Sequence, residues 1–241
     1  MALRVFHPCQ FGFKDRDIRV DIAVITGERS LSGFQDIDGT GGGGIWIADF
    51  ANGSFGGRSD DRRAATLSWR ASNAGMQGGA TAVDVLFCDR LHQPVLDRAG
   101  VPHSDGTPFS DDTLYASSGA QCVVLAVVNG QVGGNAATVL DIRLTAERAL
   151  LAGERFSYYG AAGWNWRAAE TYAVEVIGAG VTRVTFSPPI RGGIAVGDAI
   201  DFDTIRCQMT RTSPASNALN MGAFSSATIA FQEDMRPPVL P

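Results

Sequence analysis

From residue 120 to residue 203 the chain alternates short apolar–polar runs with glycine turns, and no stretch in it carries helical periodicity. The runs AQCVVLAVV (120–128), TVLDIRL (138–144), ETYAVEVI (170–177), VTRVTFSP (181–188) and DAIDFD (198–203) each read as a strand. ALLAGERFSYYG (149–160) reads as strand–turn–strand, and GAG joins 170–177 to 181–188 as a three-residue hairpin turn. Short strands at this spacing predict a small closed β-barrel. Glycine reaches 29 of 241 residues, well above the usual share of about 7%, and supplies the many tight turns such a fold needs.

The flanks read differently. IRVDIAVIT (18–26) alternates Ile18, Val20, Ile22 and Val24 against Arg19, Asp21 and Ala23, which predicts a half-buried strand. IWIADF (45–50) is a second strand fenced by glycines. The alanine-rich stretch after Ser59, an N-cap residue followed by Asp60 and Asp61, predicts one helix over 60–76, closed by Gly78 and Gly79. ATAVDVLFCD (80–89) is a strand, and 90–118, with prolines at 94, 102 and 108, is an irregular loop. SATIAFQE (226–233) is a strand too isolated to stand alone, so it is expected to return to the N-terminal strands. That makes the barrel an insertion.

Composition narrows the chemistry. A formal net charge of −5 and 20 basic residues, all arginine but Lys14, give no footprint for nucleic acid. No apolar run approaches the length of a membrane helix. Cys9, Cys88, Cys122 and Cys207 are scattered, form no CxxC, and follow no secretory leader, so they read as buried thiols. GTGGGG (39–44) satisfies GxGxxG by letter, but a strand follows it where the dinucleotide fingerprint needs a helix. DID (36–38) and DFD (201–203) lack the spacing of a calcium loop. His7, His92 and His103 form no zinc pattern, and no GxSxG elbow occurs. Neither an enzyme nor a cofactor nor a metal site is expected.

Two groups of residues are candidates for contacts. Trp164 and Trp166 in GWNW, with Tyr158 and Tyr159 nearby, suit either stacking on a sugar or packing at a core or subunit interface, and packing is the favoured reading. Arg191 sits between rigid turns in FSPPIRGGIAVGDAIDFD (186–203), placed either to grip a neighbour's carboxylate or carbonyls or to lie solvated. Pro188 and Pro189 end the preceding strand, Gly192 and Gly193 turn the chain, and Ile200 and Phe202 are expected in the barrel core.

The stretch GERFSYYG…TYAVEVIGAGVTRVTFSPPIRGGIAVGDAIDFD, continued by RCQM, resembles a recurring motif of siphophage and prophage distal tail (tail-tip, baseplate hub) proteins. The match runs from Leu151 to about Met209. A looser one covers 45–90, and the two span a little under half the chain; the glycine run and the 90–118 loop have no counterpart. The resemblance implies a mainly β fold: a β-sandwich with one α-helix forming a ring domain, over 1–118 and 207–241, plus an inserted small β-barrel over 119–206. It implies a structural virion protein at the phage tail tip, made in the host cytoplasm. Its partners would be its own copies, in a ring that is often a hexamer, together with tail tube, hub and fibre proteins. The other reading of the residues is a carbohydrate-binding module for host surface glycans. A cell-wall hydrolase has no support beyond scattered Asp, Glu and His.

Overall fold

The computed structural model describes residues 4–22, 24–26, 37–39, 43–55, 60–88, 92, 122–131, 134, 136–145, 148–160, 165–178, 180–219 and 225–236. Among the described residues the fold is mainly β with one α-helix. The first large sheet has seven strands: β1 (Arg4–Phe6), β2 (Phe13–Asp21), β5 (Ile45–Phe55), β6 (Val83–Leu86), β13 (Arg206–Arg211), β14 (Ser216–Leu219) and β15 (Ser225–Glu233). Their order is β1-β6-β13-β15-β5-β2, with β14 pairing β15 beside that path, and the sheet curls into a half-barrel. As the sequence suggested, 226–233 returns: Phe231 pairs Ala48 of β5. A separate two-stranded ribbon joins β3 (Val24–Thr26) to β4 (Ile37–Gly39).

One helix, α1 (Asp60–Gly75), covers the half-barrel. Its anchor is the buried Trp69, whose ring meets Phe11 edge-on at 5.3 Å and lies 5.9 Å from Phe13. Phe6, Phe50, Phe231, Val83, Val85 and Met209 complete this core. Aromatic contacts of this geometry add about 0.5–1.5 kcal/mol each beyond area burial. The Ser59 cap lies outside the described residues.

The second large sheet has six strands: β7 (Cys122–Val127), β8 (Val139–Leu144), β9 (Arg155–Tyr159), β10 (Trp166–Gly178), β11 (Val181–Ser187) and β12 (Ile200–Asp201), ordered β12-β9-β10-β11-β8-β7. Its two ends meet. Val123 bridges Ala199, the Val124 N–H donates to Asp198 O at 3.0 Å, and the Gly197 N–H donates to Val124 O at 2.8 Å. This nearly closed barrel encloses Phe156, Tyr158, Val184, Phe186, Ile200 and Phe202. In β10 the neighbours Ala168 and Ala169 face opposite ways, one into each core.

Several boundaries differ from the sequence reading. The 18–26 strand is divided between β2, which ends at Asp21, and β3, which begins at Val24, and β2 starts earlier, at Phe13. The 80–89 strand shrinks to β6, because a short 3-10 turn at Gln77–Gly79 intervenes. Of 149–160 only β9 is strand, since its first half is a turn closed by Glu154. The 198–203 strand is only two residues long, because the Asp201 carboxylate turns the chain by accepting the N–H groups of Asp203 and Thr204 at 2.8 Å. The 90–118 loop lies outside the described residues except for His92.

The cysteines are also corrected. Cys9 and Cys88 form a disulfide, with Cα atoms 6.5 Å apart, and Cys9 is exposed rather than buried. Sequence distance hid this, because only the fold brings the 3-10 turn Pro8–Phe11 beside the end of β6. Cys122 and Cys207 are buried free thiols, and burial pushes the Cys122 thiol up to about 12.

Candidate functional site

The segment FSPPIRGG lies where the barrel meets the half-barrel. β11 ends at Ser187, a cis Ser187–Pro188 bond follows, and Ile190 and Ile194 plug the barrel. The Ile190 N–H donates to Ala137 O and Ile190 O accepts from the Ala136 N–H, both at 2.8 Å. The Pro188–Pro189 pair rests on Gly43. A Cβ on Gly43 would sit 2.1 Å from Pro189 Cδ, and one on Gly44 would sit 2.6 Å from Asp21 O. Both glycines have positive φ, +66° and +85°, so glycine is required at each position on two counts. Ser187 Oγ donates to Gly43 O at 3.3 Å.

Glu233, at the end of β15, is the centre of the junction. Its side chain is almost wholly buried, and its oxygens accept three donors: Arg167 at 3.0 Å, Arg191 at 2.5 Å and the Trp46 N–H at 3.2 Å. Arg191 also donates to Gly44 O, and its own N–H donates to the Tyr158 hydroxyl at 2.8 Å. The Trp46 indole N–H donates across the junction to Ala168 O at 2.7 Å. Arg155 reaches Ile18 O at 3.1 Å and lies 5.4 Å from the Trp46 ring centre. Three arginines of the barrel, Arg155 on β9, Arg167 on β10 and Arg191 in the segment after β11, thus grip acceptors of the half-barrel side. The arrangement satisfies buried charges and fixes the two sheets against each other.

The residues singled out in the sequence separate into two places. Arg191 and Tyr158 belong to the junction; Tyr158 is buried and offers no surface, and burial raises its hydroxyl pKa. Tyr159 and Trp166 come together elsewhere, edge to face at 5.5 Å, with Tyr159 54% exposed. Trp164 and His103 lie outside the described residues, and so does Asp36. His7 and His92 are exposed. Sequence reasoning missed Glu233, Arg167 and Arg155. One signal for Glu233 was present: alternation puts it on the face of Ile229 and Phe231, a carboxylate on a core face that needs cationic partners.

A cleft of about 390 Å³ lies beside β9 and β10, its lining including His92, Arg148, Leu151, Glu154, Arg155 and Glu170. Burial raises the pKa of Glu154, which accepts from Arg148 at 3.0 Å and from the Leu151 N–H at 2.8 Å. Glu170 pairs with Arg155 at 2.8 Å, so both carboxylates are engaged by arginines. Among the described residues, no three His, Cys, Asp or Glu side chains converge as a metal site would require. The outer half of the β10–β11 hairpin presents Tyr172, Val176 and Ile177 to solvent, with Val176 73% exposed. No family model matches the chain, and no curated protein matches its sequence significantly.

Proposed function

We propose that this chain is a structural subunit of a phage tail tip, a distal tail or baseplate-hub ring component that links the tail tube to hub and fibre proteins. In this reading the half-barrel and α1 form the ring domain, for which the resemblance implies a β-sandwich. The barrel stands off it as the inserted decoration. The observation that carries the reading is the junction: the most distinctive segment of the chain, FSPPIRGG, spends its prolines, glycines and arginine on locking two sheets together. A rigid subunit is what a ring needs, because a small error in angle, repeated at each heterologous contact, prevents closure. The exposed apolar end of the β10–β11 hairpin supplies an interface centre of the right composition.

The test is assembly. Light scattering of the purified protein, alone and with tail-tube and hub proteins, together with negative-stain imaging, is expected to show closed rings. Val176→Glu with Ile177→Glu is expected to leave the circular dichroism spectrum intact and abolish the rings. A monomer that persists at high concentration with those partners present overturns the reading. The second reading, glycan binding, is favoured by the paired Tyr159 and Trp166 on the surface, and takes a specific form below.

A further inference from the structure

β6 and β13 place Asp84 directly opposite Gln208, and Leu86 opposite Arg206, on the face turned away from Val83, Val85, Cys207 and Met209. The start of β10 and the end of β9 reach the same residues. The Arg206 guanidinium lies on the Trp166 ring, 3.8 Å from its centre. Trp166 meets Tyr159 edge to face, the Tyr159 hydroxyl donates to Asn165 Oδ1 at 3.2 Å, and Asn165 Nδ2 donates to Gln208 Oε1 at 3.2 Å. Asp84 joins the cluster through the β6–β13 pairing, directly opposite Gln208 and diagonal to Arg206 on the same face. Two atoms of the cluster have no hydrogen-bond partner although they are buried: Asp84 Oδ1, in a residue 5% exposed, and Arg206 Nε.

From this cluster we propose a saccharide-binding site formed by Tyr159, Asn165, Trp166, Arg206, Gln208 and Asp84. An unmet acceptor and an unmet donor, both buried in one cluster, are costly in a fold that gives Glu233 three donors. An inorganic anion would satisfy only the arginine, and a cation only the aspartate. A sugar hydroxyl donates and accepts at once, so adjacent hydroxyls answer both. The C–H face of a pyranose stacks on an aromatic ring, and Tyr159 offers an exposed one beside Trp166. Asn165 and Gln208 add planar amides that read hydroxyl direction. The net charge of −5 disfavours nucleic acid and other polyanions, which points to a neutral sugar. Arg206 lies on the Trp166 face and pairs with Asp201 Oδ2 at 3.7 Å, so its guanidinium is anchored while its Nε stays the unmet donor of the cluster.

The site does not depend on the tail-tip reading, and its test leaves assembly untouched. Glucose, galactose, rhamnose and N-acetylglucosamine are offered to the wild-type protein in saturation-transfer NMR, with tryptophan fluorescence as a second readout. At least one is expected to receive transfer through its ring protons and to quench fluorescence saturably. Tyr159→Ala is expected to weaken it at least tenfold, and Asp84→Asn about tenfold, with unchanged circular dichroism spectra. Asp84→Asn is the isosteric control for packing, and Asp84→Leu, bulkier and without any acceptor, is expected to abolish binding. No transfer from any of the four sugars overturns the proposal, as does equal transfer in wild type and Tyr159→Ala. Adenosine monophosphate binding more tightly than every sugar also overturns it. Ring formation measured by light scattering in the same samples keeps a failure here distinct from a failure of the tail-tip reading.

Discussion

Arg191 and Glu233 are 42 residues apart in sequence and 2.5 Å apart in space, and their contact joins the barrel to the half-barrel. The other oxygen of the same carboxylate holds Arg167, which is 2% exposed. Removing the negative charge leaves two guanidinium groups facing each other with little water to screen them. Glu233→Gln is therefore expected to destabilise the fold by about 3–5 kcal/mol, the usual cost of breaking a buried ion pair from one side. Urea titration followed by tryptophan fluorescence measures this. A loss below 1 kcal/mol would mean that the junction contributes little.

The close approach of Gly43 to Pro189 makes a second prediction. Gly43→Ala forces a side chain onto the proline ring at a positive φ, and is expected to cost at least about 2 kcal/mol. Gly153→Ala is the control, since φ there is +93° but nothing lies within 4 Å. Strain alone should cost about 1 kcal/mol there. At this chain length the difference amounts to a few degrees of Tm, readable by calorimetry. Equal effects would remove the steric argument.

The cysteines give a third. In the oxidised protein no thiol is expected to react quickly with a thiol reagent, because Cys122 and Cys207 are buried and burial raises both pKa values. Mild reduction should release two fast thiols, Cys9 and Cys88, and the other two should appear only in denaturant. The bond ties residues 79 apart, so Cys9→Ser is expected to lower stability by about 4 kcal/mol relative to the oxidised protein. Four fast thiols in the untreated protein would contradict this pattern.

Asp84 gives a pH dependence. Burial raises its pKa above the ordinary 3.8, and Arg206 only partly offsets the effect. The folded state therefore favours the protonated carboxyl. Its contribution to stability is full below about pH 4, and is lost as pH rises through the folded pKa. Asp84→Asn removes the charge, and is expected to raise stability at neutral pH by about 1 kcal/mol with no gain at pH 3. Denaturation midpoints at the two pH values test the sign. A variant less stable than wild type at pH 7 would show that the carboxylate is satisfied after all.

Much of the fold was legible because alternation is a local signal. ETYAVEVI–GAG–VTRVTFSP declares a hairpin in the residues themselves, and the hairpin forms with Glu170 opposite Ser187. The alanine-rich 60–76 stretch likewise gives a helix ending one residue short of the expected bound. The short strands of 120–203 imply a barrel, and its seam closes at Val123 and Ala199. Where a neighbour decides, the residues are silent. DAIDFD alternates well, yet an Asp201 turn cuts it to two residues of strand.

The sequence by itself determined periods, turns and the rigid character of SPPIRGG, because these depend on φ preferences and side-chain alternation within a few residues. The tertiary structure alone decided what that rigidity is for. Gly43 is needed because prolines more than 140 positions later press on it, and Glu233 is charged on a core face because Arg167 and Arg191 arrive from the barrel. Such pairings rest on distances through space, and in a chain with nineteen arginines no local pattern names the ones that will meet.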